Sequence, residues 1–281
     1  MDTLLEGGSF FEGPRWHDGR WWVSDFYRRT VSTVDAGGRE EVVLEVPGQP
    51  SGTGWMPDGS LLVVSRTDLK VLRRSPDGEV SEHADLTGLS SFHLNDMVVD
   101  AQGRAYVGNF GFDLMARADP APAELIRIDP DGRAEVAAGD LMFPNGTVIK
   151  PDGKTLIVGE TFASRYTAFT IASDGALAER RVWGEMERPY APDGCALDAE
   201  GHIWSADGVG GRAGRIAPGG EIVAEVRAPD GLGVFACMLG GEDGRTLLLC
   251  AAPDFLEHRR RDKRESVLLT TTVDVPHAGL P

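Results

Sequence analysis

The stretch Pro57-Asp58-Gly59-Ser60-Leu61-Leu62-Val63 joins a tight turn to a short run of β-forming residues. Glycine in such a turn accepts the positive φ that a hairpin requires, and the run after it has the composition of a half-buried strand. Similar stretches occur six times in the 281 residues, with turn glycines at positions 19, 59, 103, 153, 201 and 244. The successive spacings are 40, 44, 50, 48 and 43 residues. The chain is therefore predicted to consist of six repeats.

A second turn lies inside most of the repeats, at residues 36–38, 76–78, 130–132, 173–175 and 218–220. Two hairpins per repeat give four antiparallel strands, so the pattern predicts an all-β fold, a six-bladed β-propeller. The absence of a sustained 3.6-residue periodicity argues against a doubly wound α/β fold. The sixth repeat lacks the second turn, and we expect residues near Thr3–Glu6 to supply its outer strand and close the ring. Residues 1–281 are expected to form a single domain.

The charge and composition of the chain restrict its partners. There are 44 acidic residues against 28 Lys and Arg, a net charge of −16, which disfavours nucleic acid as a ligand. No apolar run approaches the roughly 18 residues of a membrane span, and the N-terminus has no signal-peptide pattern, so we expect a cytoplasmic protein without membrane contact. The three cysteines include no C-x-x-C pair and are expected to be small buried residues.

The innermost strands of a propeller begin beside its central channel, so equivalent positions of different repeats meet there. Counting back eight residues from each turn glycine, or seven in the first repeat, gives Glu12, Ser51, Asn95, Asn145, Asp193 and Ala236. Four of these six side chains carry oxygen ligands, and together they have a formal charge of −2. Such a set favours one divalent cation, Ca²⁺ first, with Mg²⁺, Mn²⁺ or Zn²⁺ as alternatives. The competing interpretation is that Asn and Asp begin strands here as turn residues.

The motifs around these positions resemble the regucalcin-like gluconolactonase (senescence-marker-protein) family, whose members are metal-dependent six-bladed propellers that open lactones. The resemblance spans essentially the whole chain. By the family pattern, Glu12, Asn145 and Asp193 match metal ligands, and Asn95 matches a residue near the metal or the substrate. Where the family often has Arg two residues before that Asn, this chain has His93, which speaks against sugar-acid lactones as the native substrate. The motifs that carry the resemblance are Glu12-Gly13-Pro14, Asn95-Asp96, Asn145-Gly146 and Pro192-Asp193-Gly194.

The resemblance implies a metal-dependent lactone hydrolase acting on a small-molecule lactone or cyclic ester through metal-activated water. Asp193 is assigned as ligand and proton acceptor, bound through one oxygen, and the Asn95 amide would stabilise the developing oxyanion. His93 is the second candidate for the base. Asp96 is either a group that orients these neighbours or an Asx turn.

Two other readings stay open: an organophosphate or ester hydrolase on the same metal site, and a non-catalytic binding propeller in which the ion is structural. A Ser-His-Asp hydrolase has no support, because no G-x-S-x-G motif is present, and nothing indicates nicotinamide or flavin binding. The oligomeric state is not predicted.

Residues 109–123 form the longest insertion and carry several apolar side chains. This segment is either a lid over the site, favouring substrates with hydrophobic substituents, or a loop that packs on a neighbouring blade. Polar residues that end second strands are expected to cap edges, and Glu160 is a candidate ion-pair partner of Arg165. The basic run 258–264 is expected to be a solvated loop. The strand-end residues are Asp25, Asn109, Glu160 and Asp207.

Overall fold

A computed structural model of the protein describes residues 1–279. Twenty-four strands form six sheets of four antiparallel strands each, so the predicted six-bladed propeller is confirmed. The strands of the first half are β1 (Asp2–Gly8), β2 (Phe11–His17), β3 (Arg20–Asp25), β4 (Thr30–Val34), β5 (Glu40–Glu45), β6 (Pro50–Trp55), β7 (Leu61–Ser65), β8 (Lys70–Arg74), β9 (Val80–Asp85), β10 (Leu94–Val99), β11 (Ala105–Asn109) and β12 (Ala123–Ile128).

The second half continues the same pattern and adds a 3₁₀ turn at Thr161–Ala163 and the short helix α1 (Glu257–Arg260). None of the helices within residues 1–279 has the length and apolar character needed to cross a lipid bilayer. The strands are β13 (Ala134–Leu141), β14 (Pro144–Ile149), β15 (Thr155–Glu160), β16 (Arg165–Ile171), β17 (Leu177–Glu185), β18 (Pro192–Leu197), β19 (Ile203–Asp207), β20 (Arg212–Ile216), β21 (Ile222–Arg227), β22 (Gly233–Gly240), β23 (Thr246–Ala252) and β24 (Ser266–Thr272).

The ring closes through the N-terminus. Strand β1 pairs antiparallel with β24, and the sixth blade has the order β1-β24-β23-β22. The register runs from Asp2 opposite Thr270 to Gly8 opposite Ser266. The prediction that N-terminal residues supply the outer strand of this blade is therefore confirmed, and both ends of the chain contribute to one sheet.

Burial falls from the channel to the rim of each blade. Every residue of β7 is buried, whereas the outer strand β21 is mostly exposed. This explains why a second strand such as β7 reads as a nearly continuous apolar run, since the neighbouring blades cover both of its faces. Leu62 and Val64 of the second blade pack with Val99 and Val107 of the third in one such interface. The three cysteines are buried and unbonded, as expected.

The register predicted for the sixth blade is wrong by one residue. The ladder shift in β22 lies between Val234 and Ala236, so Phe235, which lines the cavity, takes the place that Asp193 has in β18. The reason is that this hairpin is one residue longer: Phe235 lies nine positions before its turn glycine, whereas Asp193 lies eight positions before its own. Phe235 and Ala236 are both apolar, so the sixth blade offers no oxygen ligand from its side chain at this position either way.

Candidate metal and substrate site

A cavity of about 370 Å³ opens at the end of the channel where the inner strands begin. Glu12, Asn95, Asn145 and Asp193 all contribute to its wall, each as the second residue of its inner strand. The six-fold repetition thus brings together four polar side chains that are up to 181 positions apart in the sequence. Ser51, the equivalent residue of the second blade, is buried but is not among the residues that line the cavity.

A β-bulge in each of these inner strands sets the direction of the polar side chain. The pairing register shifts between Glu12 and Arg15 in β2, and corresponding shifts occur in β10, β14 and β18. A bulge bends the strand and re-aims a side chain that a regular ladder would point sideways. The glycine that follows permits close approach of the next strand, because a Cβ on Gly146 would lie 2.3 Å from the carbonyl oxygen of Asp193.

Carboxylates at the ends of three second strands hold the segments that lead into the site. Each accepts a backbone N–H from the loop before the adjacent inner strand, which is the capping role expected of them. The bonds are Ser9 N–H to Oδ2 of Asp25 at 2.8 Å, Met142 N–H to Oε2 of Glu160 at 2.8 Å, and Ala191 N–H to Oδ1 of Asp207 at 3.2 Å. The Glu160–Arg165 ion pair is also present, with Nε 2.8 Å from Oε1.

The two asparagines donate to the protein through their amide nitrogens. Nδ2 of Asn95 donates to the carbonyl oxygen of Pro144, and Nδ2 of Asn145 donates to Oγ1 of Thr161, each at 3.2 Å. Within residues 1–279, no hydrogen-bond donor contacts Oδ1 of either side chain. Thr161 also lines the cavity and donates its own hydroxyl to the carbonyl oxygen of Pro192 at 2.7 Å. Both amide oxygens are therefore unengaged by the protein.

The two carboxylates of the site repel each other in a poorly hydrated environment. Burial raises the pKa of Glu12 well above its usual value, and the neighbouring charges of Asp193 and Asp96 raise it further. Burial likewise raises the pKa of Asp193 to about 8, against the opposing effect of hydrogen bonds from Asn145 and Gly194. Both side chains are only partly exposed, and their exposure is to the cavity.

This donor set fits a hard divalent cation. One positive ion between these side chains would stabilise the ionised form of both carboxylates, which otherwise repel each other. It would also accept the two amide oxygens as ligands, since neither receives a hydrogen bond. The residues able to hold it are the four that the sequence singled out. Within residues 1–279, no three His, Cys, Asp or Glu side chains lie close enough together to hold a metal ion, and half of this set consists of asparagines.

A buried ion pair lies further along the same inner strands. Nη2 of Arg15 is 2.9 Å from Oδ1 of Asp96 and also donates to the carbonyl oxygen of Met97 at 2.6 Å. Both residues are less than a tenth exposed. Asp96 also accepts the N–H of Met97 at 2.8 Å. Arg15 was not predicted from the sequence, although a charged residue inside a strand that was expected to be buried was the available signal.

His93 lies immediately before β10 and is not among the residues that line the cavity. Its ring packs against Phe92, with centroids 4.3 Å apart, and against the edge of Phe110, which does line the cavity. Burial and the charge of Arg66 lower the pKa of His93. Its role as a second base stays a prediction.

The insertion at residues 109–123 combines the two expected arrangements. Phe110, Leu114 and Met115 line the cavity, while Phe112 packs against rings of the fourth blade. Most of the remaining wall is aromatic or aliphatic. It includes Phe10, Phe26, Tyr27, Phe143, Phe162, Tyr190, Val209, Phe235 and Phe255. Phe255 comes from the connection between β23 and β24.

The same connection carries the basic run 258–264. Within that run Arg260 is buried, and its Nη1 lies 2.6 Å from Oε2 of Glu265.

Comparison with known proteins shows the family to which the chain belongs. The family model described as "SMP-30/Gluconolactonase/LRE-like region" matches residues 10–253. The chain is 30% identical over 247 residues to a 6-deoxy-6-sulfogluconolactonase of Pseudomonas putida, covering 85% of this chain and 81% of that protein. It is 31% identical over 218 residues to the pentonolactonase XacC of Haloferax volcanii, covering 75% and 70%.

Among solved structures, the fold is similar to that of a calcium-binding protein, regucalcin, from Agrobacterium tumefaciens. The TM-score is 0.77 at 21% sequence identity, and the match covers 99% of this chain and 97% of the other. The resemblance inferred from the four motifs is confirmed by a family match that includes all of them. This chain belongs to the SMP-30/gluconolactonase/LRE-like family.

Proposed function

We propose that this protein is a metal-dependent hydrolase that opens lactones with an activated water. The observation that carries the proposal is the convergence of Glu12, Asn95, Asn145 and Asp193 on one cavity, where burial raises the pKa of both carboxylates. The names of the two curated relatives, both lactonases at 30% and 31% identity, support lactones as the substrate class. The partner is accordingly a small molecule of a size that the cavity accepts.

Glu12, Asn145 and Asp193 are the proposed ligands of one divalent ion, with Asn95 beside them. The oxygen-only donor set favours Ca²⁺, and Zn²⁺, Mg²⁺ and Mn²⁺ are alternatives. The description of the structural relative from Agrobacterium tumefaciens as calcium-binding agrees with that preference. When bound, such an ion supplies Lewis-acid polarisation of the ester carbonyl and lowers the pKa of water at the site.

The side chains of this protein have separate tasks in the reaction. Asp193 takes the proton of the attacking water and returns it to the alkoxide that leaves when the ring opens, giving a hydroxy acid. One N–H of the Asn95 amide donates to the carbonyl oxygen of Pro144, and the second is available to donate to the developing oxyanion. His93 is the second candidate for the base, and its ring packs against Phe110, which lines the cavity.

The test is a substrate panel on metal-stripped protein reconstituted separately with Ca²⁺, Mg²⁺, Mn²⁺ and Zn²⁺. The panel holds lactones, aryl esters and a phosphotriester, so the organophosphate or ester alternative is read out in the same assay. We expect lactones to be opened fastest, Asp193→Ala to lose about a hundredfold or more, and Ser51→Ala, at the equivalent strand position, to keep the wild-type rate.

Equal rates for wild type and Asp193→Ala would contradict the mechanism. No turnover with any metal, combined with a loss of thermal stability on chelation, would instead support a binding propeller with a structural ion. A retained rate in His93→Ala would dismiss only the second base. We also propose that residues 1–281 form one domain and that the protein is cytoplasmic, which limited proteolysis and cell fractionation respectively test.

A further inference from the structure

One cation on the cavity wall is not used by the proposed chemistry. Arg66 follows the end of β7 and lines the cavity, yet only 2% of the residue is exposed. No carboxylate of the described residues lies within 4.0 Å of its guanidinium. Burying an arginine without a carboxylate partner is costly, because the charge loses its hydration and gains no counter-ion.

The contacts of Arg66 leave part of its hydrogen-bonding capacity unused. Nη2 donates a hydrogen bond to Oε1 of Gln49, and Nε is buried without any acceptor. Gln49 in turn donates through Nε2 to Oε1 of Glu257 at 3.3 Å. A guanidinium has five N–H donors, so most of them stay available. The hydrogen-bond contact between Arg66 and the Glu257 carboxylate thus runs only through the neutral amide of Gln49.

Two aromatic rings hold the guanidinium in place. Its central carbon lies 4.6 Å from the ring centroid of Phe26 and 5.2 Å from that of Phe110, both of which line the cavity. Cation–π contacts offset part of the cost of burial but do not satisfy N–H groups. Burial lowers the pKa of Arg66, while Tyr27, Glu257 and Glu12 raise it, and arginine at neutral pH stays protonated.

The charge of the cavity is therefore unbalanced once an ion is bound. A divalent ion neutralises Glu12 and Asp193, and Arg66 then leaves one positive charge among aromatic walls. Arg188 also lines the cavity but is exposed to solvent, where its charge is screened. The rigid fork of a guanidinium matches the paired oxygens of carboxylates and sulfonates.

We infer that Arg66 forms an anion subsite, so that the substrate is an apolar or aromatic lactone carrying one carboxylate or sulfonate group away from the ester. The inference rests on the proposed lactone hydrolase and extends it to the chemistry of the substrate. The anionic group pairs with Arg66 between Phe26 and Phe110, and the ester faces the ion site. Arg66 is accordingly a residue that determines specificity and takes no part in proton transfer.

The test is a binding measurement that needs no turnover. Calorimetry compares p-toluenesulfonate with its neutral analogue p-toluenesulfonamide on metal-loaded wild type, Arg66→Gln, Arg66→Lys and Arg188→Gln. A sulfonate is a poor metal ligand, so the comparison reports on the cationic subsite. We expect wild type and Arg188→Gln to prefer the sulfonate by about tenfold or more. Arg66→Gln should lose this preference, and Arg66→Lys should keep part of it.

Unchanged sulfonamide affinity in Arg66→Gln shows that the variant is folded and that only the anion contact is lost. If Arg66→Gln keeps the preference, or if Arg188→Gln alone loses it, the assignment is overturned. If Arg66→Gln binds neither probe, the comparison moves to Arg66→Lys. A preference of Arg66→Lys for the sulfonate supports the subsite, and the absence of that preference overturns it. Sulfonate selectivity without hydrolysis of any lactone would refute the proposed function alone, whereas hydrolysis without selectivity would refute only the subsite.

Discussion

The side-chain amide of Asn145 lies 3.2 Å from Oγ1 of Thr161, and Thr161 donates onward to the carbonyl oxygen of Pro192 at 2.7 Å. This chain of two hydrogen bonds joins the fourth blade to the residue before Asp193 in the fifth. It fixes which way the Asn145 amide faces and ties together the backbones that carry two of the proposed ligands. Residues of this kind, which orient a ligand without contacting the ion, commonly influence metal affinity strongly.

Thr161→Val removes both hydrogen bonds with little change in side-chain volume. We expect divalent-metal affinity, measured by calorimetry, to fall by roughly 10–100-fold, the usual effect of losing a group that orients a ligand. Thr161→Ser keeps the hydroxyl and should bind metal almost as the wild type does. Equal metal affinity in all three proteins would show that Asn145 needs no support from Thr161.

The stability of the metal-free protein should depend on pH in a defined direction. The pKa of Asp193 is raised from 3.8 to about 8 in the folded protein, and that of Glu12 is raised too. Between about pH 4 and pH 8, the two carboxyl groups therefore stay protonated in the folded state and are ionised in the unfolded state. The free energy of unfolding therefore decreases as pH rises from about 4 to about 8.

The measurement is the melting temperature in chelator between pH 5 and pH 8.5. It should fall by several degrees over this range, and saturating metal should reverse the fall, because the ion binds the ionised carboxylates. Asp193→Asn should flatten the chelator profile. If the melting temperature in chelator does not change with pH in either the wild type or the variant, the mutual repulsion of Glu12 and Asp193 is contradicted.

The Arg15–Asp96 ion pair is predicted to be sensitive to the loss of either member. Arg15→Met leaves Asp96 buried without its counter-charge, and we expect a loss of about 3–5 kcal/mol in the free energy of unfolding, the usual cost of breaking a buried pair. Asp96→Asn should also destabilise. The loss of unfolding free energy in the double variant should be smaller than the sum of the losses in the two single variants. Urea unfolding of all four proteins measures this difference. Strict additivity would mean that the two residues are not coupled.

The insertion at 109–123 should affect apolar substrates selectively. Leu114 is half-buried in the cavity wall beside Phe112 and Phe143. Leu114→Ala removes apolar contact area, and we expect kcat/KM for an aryl- or hexyl-substituted lactone to fall by about tenfold, while that for unsubstituted γ-butyrolactone changes little. Val136→Ala, on an exposed outer strand, is the matched control. A uniform decrease for both lactones would point to a role unrelated to substrate substituents.

The number of blades was predictable because its signals are local, and the closing strand followed from the missing second turn of the sixth repeat. A turn glycine such as Gly59 and the apolar run after it specify a hairpin within about ten residues. The number of times this pattern repeats then gives the number of blades. The positions of Glu12, Asn95, Asn145 and Asp193 followed because the hairpins before their turn glycines differ by at most one residue in length. In the sixth blade the hairpin has one residue more, so the count chose Ala236 instead of Phe235.

The residues that sequence reasoning missed make contacts between blades. Arg15 meets Asp96 across 81 positions, and neither lies in a motif that names the other as its partner. Arg66 owes its place in the wall to rings from the first and third blades, Phe26 and Phe110. Such contacts depend on how neighbouring sheets stack, which no local pattern in the chain encodes.

The convergence of four side chains on one ion is tested most directly by anomalous diffraction from crystals of metal-stripped protein reloaded with Mn²⁺. The account predicts a single strong peak at the cavity floor, within about 2.0–2.6 Å of oxygens from Glu12, Asn145 and Asp193, the range of hard-cation bonds, with Asn95 adjacent. A fully loaded crystal with no peak there, or with its peak among other residues, would contradict it.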